Sequence, residues 1–369
     1  MKVVFVIKTL DHVKGGAERV LCVVASELAR RGHDVHIVSF DIPGGRPVYP
    51  LDSGVSAWRL GQKDPRQKTT IIDFFRRMWG FRRHMKILNP DIAVGFMDSA
   101  YVPLVFGTLD QKIPIIASEH IVPRHYQNKK IEFFLLLMAA FRANRMTVVT
   151  SQVKKLFPMW IQHKIIPMKN PVFFPADHKT PKKETTEKII LHIGRFDPQK
   201  DHTTLIAAFA LCAPQFPDWN LHLIGDGPLR EEIHAQINAC GLGNRVKWTP
   251  QTDDVSTVYR AADIFAFPSL YESFGLVVAE ALAHGVPVLA FADCPGVNIL
   301  IQDGENGLLV RGQDRVQTFA DGLMRLMNDA DLRVRFSRQG PSSVASYAAS
   351  PVVDAWEELL AFAVRATPK

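Results

Sequence analysis

The stretch Lys-Ile-Ile-Leu-His-Ile-Gly-Arg-Phe-Asp-Pro-Gln-Lys-Asp, Lys188–Asp201, decides the fold. Within it Ile189–Ile193 is an apolar run of strand length, broken only by His192. Such a run suits a central parallel strand, which is covered on both faces. Gly194 ends the run, and Arg195 and Lys200 share the polar loop before a helix expected from about His202 to Cys212. A strand, a short loop and a helix make half of a βαβ unit, and its ligand loop lies at the carboxyl end of the strand. Two cations on such a loop neutralise a diphosphate and stabilise it as a leaving group. The same residues also describe a solvated turn before a helix capped by Asp201.

The unit repeats downstream. Asn220–Ile224, Arg245–Thr249, Ile264–Phe267, Val286–Ala290 and Gly307–Val310 read as strands. Helices are expected at about Pro228–Ala239, Val255–Arg260, Phe274–Ala283 and Arg315–Asn328. Upstream, strands Val3–Ile7, Val35–Phe40, Asp91–Phe96, Ile113–Ser118 and Met146–Thr150 alternate with helical segments, the first of which, Ala17–Arg31, is stopped by Gly32. Two alternations predict an α/β protein of two Rossmann-like, doubly wound parallel-sheet domains. The first spans 1–170, a proline- and lysine-rich linker 171–187, and the second 188–349. The amphipathic segment 350–369 is expected to pack back onto the first domain.

Charge divides along the same line. Residues 1–175 hold 26 Lys and Arg against 13 Asp and Glu, and residues 176–369 hold the remaining 18 against 24. The first half is therefore +13 and the second −6, which sum to the net +7 of the 369-residue chain. With 47% hydrophobic and 22% charged residues the chain is neither disordered nor fibrous. Its longest apolar run, Ile131–Phe141, is too short to span a bilayer, and the start reads as a strand rather than a signal peptide. Cys22, Cys212, Cys240 and Cys294 are scattered, which fits a reduced cytoplasmic protein. The histidines show no metal-ligand spacing, and Asp329-Ala330-Asp331 reads as a helix cap rather than a metal–diphosphate motif, so no metal is expected.

Three further segments carry chemistry. Gly15-Gly16-Ala17-Glu18 joins the first strand to its helix, where glycines let backbone N–H groups approach a phosphate; an ordinary loop pair reads the same way. In Tyr271-Glu272-Ser273-Phe274-Gly275-Leu276-Val277-Val278-Ala279-Glu280 a helix expected to start near Phe274 directs the amides of Phe274, Gly275 and Leu276 at an anion. Glu272 precedes that helix, and Glu280 lies inside it among apolar neighbours, where a carboxylate needs a partner such as ribose hydroxyls. His120 ends the strand containing Ser118, placed for hydrogen bonding to a sugar or for acid–base work, or for a structural role.

Together Gly15-Gly16-Ala17-Glu18, Gly194-Arg195 with Lys200, Gly225-Asp226-Gly227-Pro228-Leu229, Glu272 with Glu280, and Asp303-Gly304-Glu305-Asn306-Gly307-Leu308-Leu309 resemble family 4 glycosyltransferases, retaining enzymes of GT-B fold. The resemblance spans nearly the whole chain. It implies a hexosyltransferase-type enzyme that holds a nucleotide sugar, a UDP-sugar, mainly on the second domain and needs no metal. By position, Arg195 and Lys200 would bind the diphosphate, with Phe274, Gly275 and Leu276. Glu272 would contact the donor sugar, Glu280 the ribose, Gly15 and Gly16 the phosphates, and His120 the donor sugar; His120, Glu272, Arg195 and Lys200 are the catalytic candidates. Two positions depart from the family: Ile299 replaces a frequent glutamate, and Asp201 a frequent glycine.

The acceptor expected is a lipid-linked or cell-surface glycan of the lipopolysaccharide, capsule or exopolysaccharide kind. Segments 63–88 and 124–164 interleave basic and aromatic residues, including Arg66, Lys68, Arg76, Arg77, Arg82, Arg83 and Lys86 with Phe74, Phe75, Trp79 and Phe81. They suit the anionic cytoplasmic face of an inner membrane as well as packing within the domain. A nucleotide-sugar epimerase of the same architecture is the alternative. Nucleic acid is not expected as a partner, because the second half is acidic and no nucleic-acid motif occurs.

Overall fold

The computed structural model describes residues 1–62, 70–175, 187–250, 252 and 254–366. It divides into two units, Met1–Pro171 with Ala349–Lys369, and Val172–Ala348.

The first unit contains strands β1 (Lys2–Ile7), β2 (Asp34–Ser39), β3 (Val55–Arg59), β4 (Ile92–Phe96), β5 (Ile115–Glu119), β6 (Arg145–Val148) and β7 (Ile165–Pro167). Its helices are α1 (Gly16–Arg30), α2 (Ile71–Leu88), α3 (Asp98–Gly107), α4 (Lys130–Arg142), α5 (Ser151–Lys155) and α6 (Met159–Gln162). The strands form one seven-stranded sheet in the order β3-β2-β1-β4-β5-β6-β7, with every pairing parallel. Order reverses between β1 and β4, so the loops after these two strands flank the point where open α/β sheets take ligands.

The second unit contains β8 (Lys188–Ile193), β9 (Trp219–Ile224), β10 (Val246–Thr249), β11 (Ile264–Phe267), β12 (Val288–Phe291) and β13 (Gly307–Val310). Its helices are α7 (His202–Cys212), α8 (Arg230–Ala239), α9 (Val255–Ala261), α10 (Leu276–Ala283), α11 (Arg315–Asn328) and α12 (Ala330–Ser343). The parallel order is β10-β9-β8-β11-β12-β13, with its reversal between β8 and β11. The expected two doubly wound sheets are therefore present.

Local signals account for the helix ends. Thr70 and Asp73 form a reciprocal capping box at the start of α2, and Asp314 and Asp329 cap α11 and α12. The last helix, α13 (Ala349–Arg365), belongs to the first unit. Trp356, Val353 and Leu360 are buried in a core shared with Phe5, Leu28 and Phe96. At its polar edge Arg31 bonds Asp354 at 2.6 Å and also Glu357, while His33 meets Glu357 at 2.8 Å.

Three expectations change. The edge strand β3 and the three-residue β7 were not read from sequence, because β3 is largely exposed and lacks an apolar run. The chain does not enter a free linker at 171: Val172 is buried and its N–H donates to the Tyr347 carbonyl at 2.8 Å. The rest of the linker, 176–186, lies outside the described residues. Finally, α10 starts at Leu276 rather than Phe274, because Gly275 takes the left-handed conformation (φ 83°) and breaks helical geometry before it.

Candidate active site

In the second unit the two loops at the reversal point meet. Lys200, after β8, and Glu272, after β11, are 72 positions apart and form an ion pair at 2.5 Å, both largely buried. The Lys200 ammonium also lies 5.2 Å from the centre of the Phe267 ring. Arg195 is exposed on the same loop and has no ion-pair partner among the described residues. Asp201 adopts the left-handed conformation (φ 52°, ψ 45°), which glycine would take without strain. Its carboxylate accepts from the Thr204 hydroxyl at 2.8 Å and from Arg315 Nε at 3.1 Å. Arg315 in turn donates to the Pro268 carbonyl at 2.8 Å, so it ties the two loops together.

Two neighbouring loops hold this arrangement from below. Phe196 N–H donates to the Asp226 carbonyl at 3.1 Å, and Leu229 N–H to the Phe196 carbonyl at 3.0 Å. A Cβ at Gly225 would lie 1.9 Å from the Gly194 carbonyl oxygen, which only glycine permits. On the other side, Glu272 N–H donates to the Pro295 carbonyl at 3.1 Å, and a Cβ at Gly296 would lie 2.6 Å from the Glu272 carbonyl oxygen. Ile299, three residues on, is half-buried and brings no charge to this loop.

The helix start supplies amides. Leu276 and Val277 open α10 and have no intrahelical acceptor, while Phe274 and Gly275 lie in the turn before it. Phe274 is therefore not helical; its ring is buried and lies tilted against Tyr347, 5.1 Å between ring centres. Glu280 is buried inside α10, and the single Tyr259 hydroxyl proton is shared between the Val277 carbonyl at 3.0 Å and Glu280 Oε2 at 3.2 Å. Beneath the Lys200 loop, His192 Nδ1 meets the Ala266 carbonyl at 2.8 Å, and its ring packs edge-on to His202 at 4.6 Å. Burial depresses both histidines, His192 to about 4 and His202 to about 2.

In the first unit the Gly15-Gly16 turn leads into α1, with Glu18 folded back over it; a Cβ at Gly15 would lie 2.2 Å from Glu18 Oε2. Burial pushes Glu18 up to about 6. After β4, Met97 has φ 69° and ψ 151°, a region almost reserved for glycine, at a cost of about 1–3 kcal/mol. This strain sits at the reversal point, where Met97 N–H donates to the Ser118 carbonyl at 2.8 Å. Glu119 is fully buried and accepts from His120 N–H at 2.9 Å, Ile121 N–H at 2.8 Å and the Tyr101 hydroxyl at 2.7 Å. Burial, reinforced by nearby Asp98, pushes it up to about 8. His120 stacks on Phe96 at 5.0 Å, and Phe96 on Trp356 of α13 at 5.9 Å. Burial lowers His120 to about 4.

The two basic–aromatic segments separate into faces. On α2, Ile72, Phe75, Arg76, Trp79, Arg83 and Lys86 are exposed along one helical stripe, Trp79 to 73%. Arg77 does not belong to it: the guanidinium is buried 4.5 Å above the Phe40 ring. Arg82 pairs with Asp110, and Phe81 is core. Arg66 and Lys68 lie outside the described residues. A second exposed apolar group comprises Ile131 (77%), Phe134 and Phe141 of α4 and Met159 (86%) and Trp160 of α6.

Two family models match this chain: "Glycosyltransferase Family 4" over residues 14–160 and "Glycosyl transferases group 1" over residues 173–343. The chain belongs to the GT-B glycosyltransferases of the family 4 type. It is 28% identical to an uncharacterized glycosyltransferase of Haemophilus influenzae, covering 94% of this chain and 96% of that one. It is 25% identical, over 98% of both chains, to a Campylobacter jejuni enzyme named as an α-1,4-N-acetyl-D-galactosaminyltransferase acting on a diNAcBac-PP-undecaprenol-linked glycan. Its fold matches that of Staphylococcus aureus TarM, solved with UDP, at a TM-score of 0.80 with 17% identity over 98% of this chain and 100% of that one. Sequence reasoning about this glycosyltransferase missed Arg315, Tyr259, Ser118 and the strained Met97. Their roles depend on partners distant in sequence or on backbone angles, and no local motif marks them.

Proposed function

We propose that this glycosyltransferase moves a sugar from a UDP-sugar, held by the second unit, to a lipid-linked or cell-surface glycan of the lipopolysaccharide, capsule or exopolysaccharide kind. One observation carries the reading: Lys200 and Arg195 on the loop after β8, and the amides opening α10 after β11, flank the single point where strand order reverses, and Lys200 meets Glu272 there. Such a set neutralises a diphosphate without a metal ion. Lys200 would share its ammonium between Glu272 and the leaving diphosphate, and Glu272 would accept from donor-sugar hydroxyls. Glu272 is engaged by Lys200 and is not proposed as a nucleophile; transfer with retained configuration is proposed from the family resemblance alone. Glu280, steadied by Tyr259, would take the ribose, and His120 an oxygen of the donor sugar. The relatives named for glycan synthesis support the acceptor class.

UDP should raise the Tm of the full chain more than ADP or GDP does. At about a hundred times Kd the gain is about 2.7 kcal/mol, or about 5–10 °C for a unit of this size. Arg195→Ala and Lys200→Ala should remove the shift, and chelator should leave the transfer rate unchanged. Silence toward every nucleotide would overturn the donor site. Conversion of the donor without acceptor would instead indicate an epimerase.

The exposed stripe of α2 and the α4–α6 group are further proposed to rest on an anionic lipid surface, the apolar side chains inserting while Arg76, Arg83 and Lys86 meet headgroups. At about 1 kcal/mol per cation, replacing these three by serine should weaken binding to phosphatidylglycerol-containing vesicles about a hundred-fold. Arg77→Ser would test nothing here, because that side chain packs on Phe40. Unchanged vesicle binding would refute the idea.

A further inference from the structure

We infer that the buried hydroxyls of Thr147 and Ser118 fix the ring proton of His120 on Nδ1, so that His120 meets the substrate as a hydrogen-bond donor to an oxygen and not as a base. The inference rests on the reading of His120 as a residue that contacts substrate. Its basis is a three-membered chain. Ser118 and Thr147 are register partners on adjacent strands β5 and β6, and His120 follows Ser118 by two positions, on the same face. Thr147 Oγ1 lies 2.9 Å from Ser118 Oγ, and Ser118 Oγ lies 3.1 Å from His120 Nε2. Both hydroxyl-bearing residues are 2% exposed.

Proton accounting selects one direction for this chain. Ser118 Oγ is the only acceptor for the Thr147 hydroxyl among the described residues. Thr147 therefore donates to Ser118, Ser118 donates onward to the Nε2 lone pair, and the single proton of the neutral ring sits on Nδ1. The reverse direction would make Nε2–H the donor to Ser118 and leave the Thr147 proton buried without an acceptor, which folded proteins avoid. No protein group accepts from Nδ1 among the described residues, so its N–H is available to a ligand. Ring orientation is held separately. Phe96 lies against the imidazole with an interplanar angle of 20°, and Trp356 of α13 lies against Phe96 at 21°. The hydroxyl chain sets the tautomer, and the aromatic stack sets the plane. Ser118 and Thr147 are positioning residues acting through His120.

The direct test is the ring nitrogen spectrum of the full chain labelled with nitrogen-15 at its 13 histidines, with His120→Gln identifying the signal. The expected result is a protonated Nδ1 and an unprotonated Nε2. Ser118→Ala should shift the proton toward Nε2, Thr147→Val should do so in part, and Thr147→Ser should keep the wild-type signal. Loss of this one directed bond should lower kcat/KM about ten-fold in Ser118→Ala. Ser118→Ala combined with His120→Ala should be no slower than His120→Ala alone. A wild-type ring protonated on Nε2, or a ring signal unmoved in Ser118→Ala, overturns the inference. Full activity in His120→Ala would overturn instead the substrate-contact reading on which it rests.

Discussion

Replacing Lys200 by methionine should lower kcat/KM about a hundred- to a thousand-fold and should also weaken the fold, and the two effects should be separable. On the proposed diphosphate reading, the rate loss follows from removing a fixed cation where leaving-group charge would develop, an effect of about 3–4 kcal/mol when a single pre-organised donor is lost elsewhere. The stability loss has another origin. Glu272 is 8% exposed, and its carboxylate would be left buried without its cation. Breaking such a pair from one side costs about 3–5 kcal/mol in fully buried cases, and the residual exposure of this pair sets the lower end of that range. The double variant Lys200→Met with Glu272→Gln removes the orphaned charge. It should regain most of the stability in urea unfolding while its activity stays low. Recovery of both together would mean that the pair is structural and the diphosphate is bound elsewhere.

Acid should unfold the second unit before the first. His192, His202 and His222 are held neutral by burial, at about 4, 2 and 4. Each therefore stabilises the fold fully above the unfolded-state value of about 6.5, and that contribution is lost as pH falls below it. The loss is about 1.4 kcal/mol per pH unit per histidine, or about 4 kcal/mol for the buried pair His192 and His202 by pH 5, and the half-buried His222 adds less because solvent screens it; this is a large part of the stability of a typical domain. In the first unit the balance differs. Glu119, at about 8, and Glu18, at about 6, bind protons more readily folded than unfolded, so acidification relieves their burial and offsets the loss at His120. Hydrogen exchange between pH 7.5 and 5 should show protection falling first in Lys188–Ile193 and Trp219–Ile224. His202→Leu, which removes two buried ring nitrogens that have no partner among the described residues, should raise the Tm and shift the acid transition downward. Simultaneous loss of both units, or no change in His202→Leu, would contradict this account.

The residues that could be read from sequence share a property: their signal is local. Ile189–Ile193 and Ile264–Phe267 are apolar because central parallel strands are covered on both faces, and that pattern survives without knowledge of neighbours. Gly225-Asp226-Gly227 entered only through the family resemblance, and the structure supplies its reason, a close approach of Gly225 to the Gly194 carbonyl. Asp201 was legible as a cap, and the structure adds the left-handed backbone that it occupies. The readings left open or misplaced also have a common cause. Arg77 and Phe81 stand in a basic–aromatic segment that suits a membrane face and packing within the domain equally, because composition does not say which side of α2 faces the core; burial against Phe40 decides that. The start of α10 was placed two residues early because Gly275 turns against Val297, a contact made across the fold.

The sequence by itself determined the two strand–helix alternations and offered the candidate residues whose chemistry suits a phosphate or a sugar, because period, glycine placement and charge are properties of neighbouring positions. Only the tertiary structure decided which of those residues act together. Lys200 meets Glu272 across 72 positions, Arg315 bridges their loops, and Thr147 reaches His120 through Ser118 on an adjacent strand. Parallel strands must be joined by long crossovers, so residues brought side by side at their carboxyl ends are necessarily far apart in the chain.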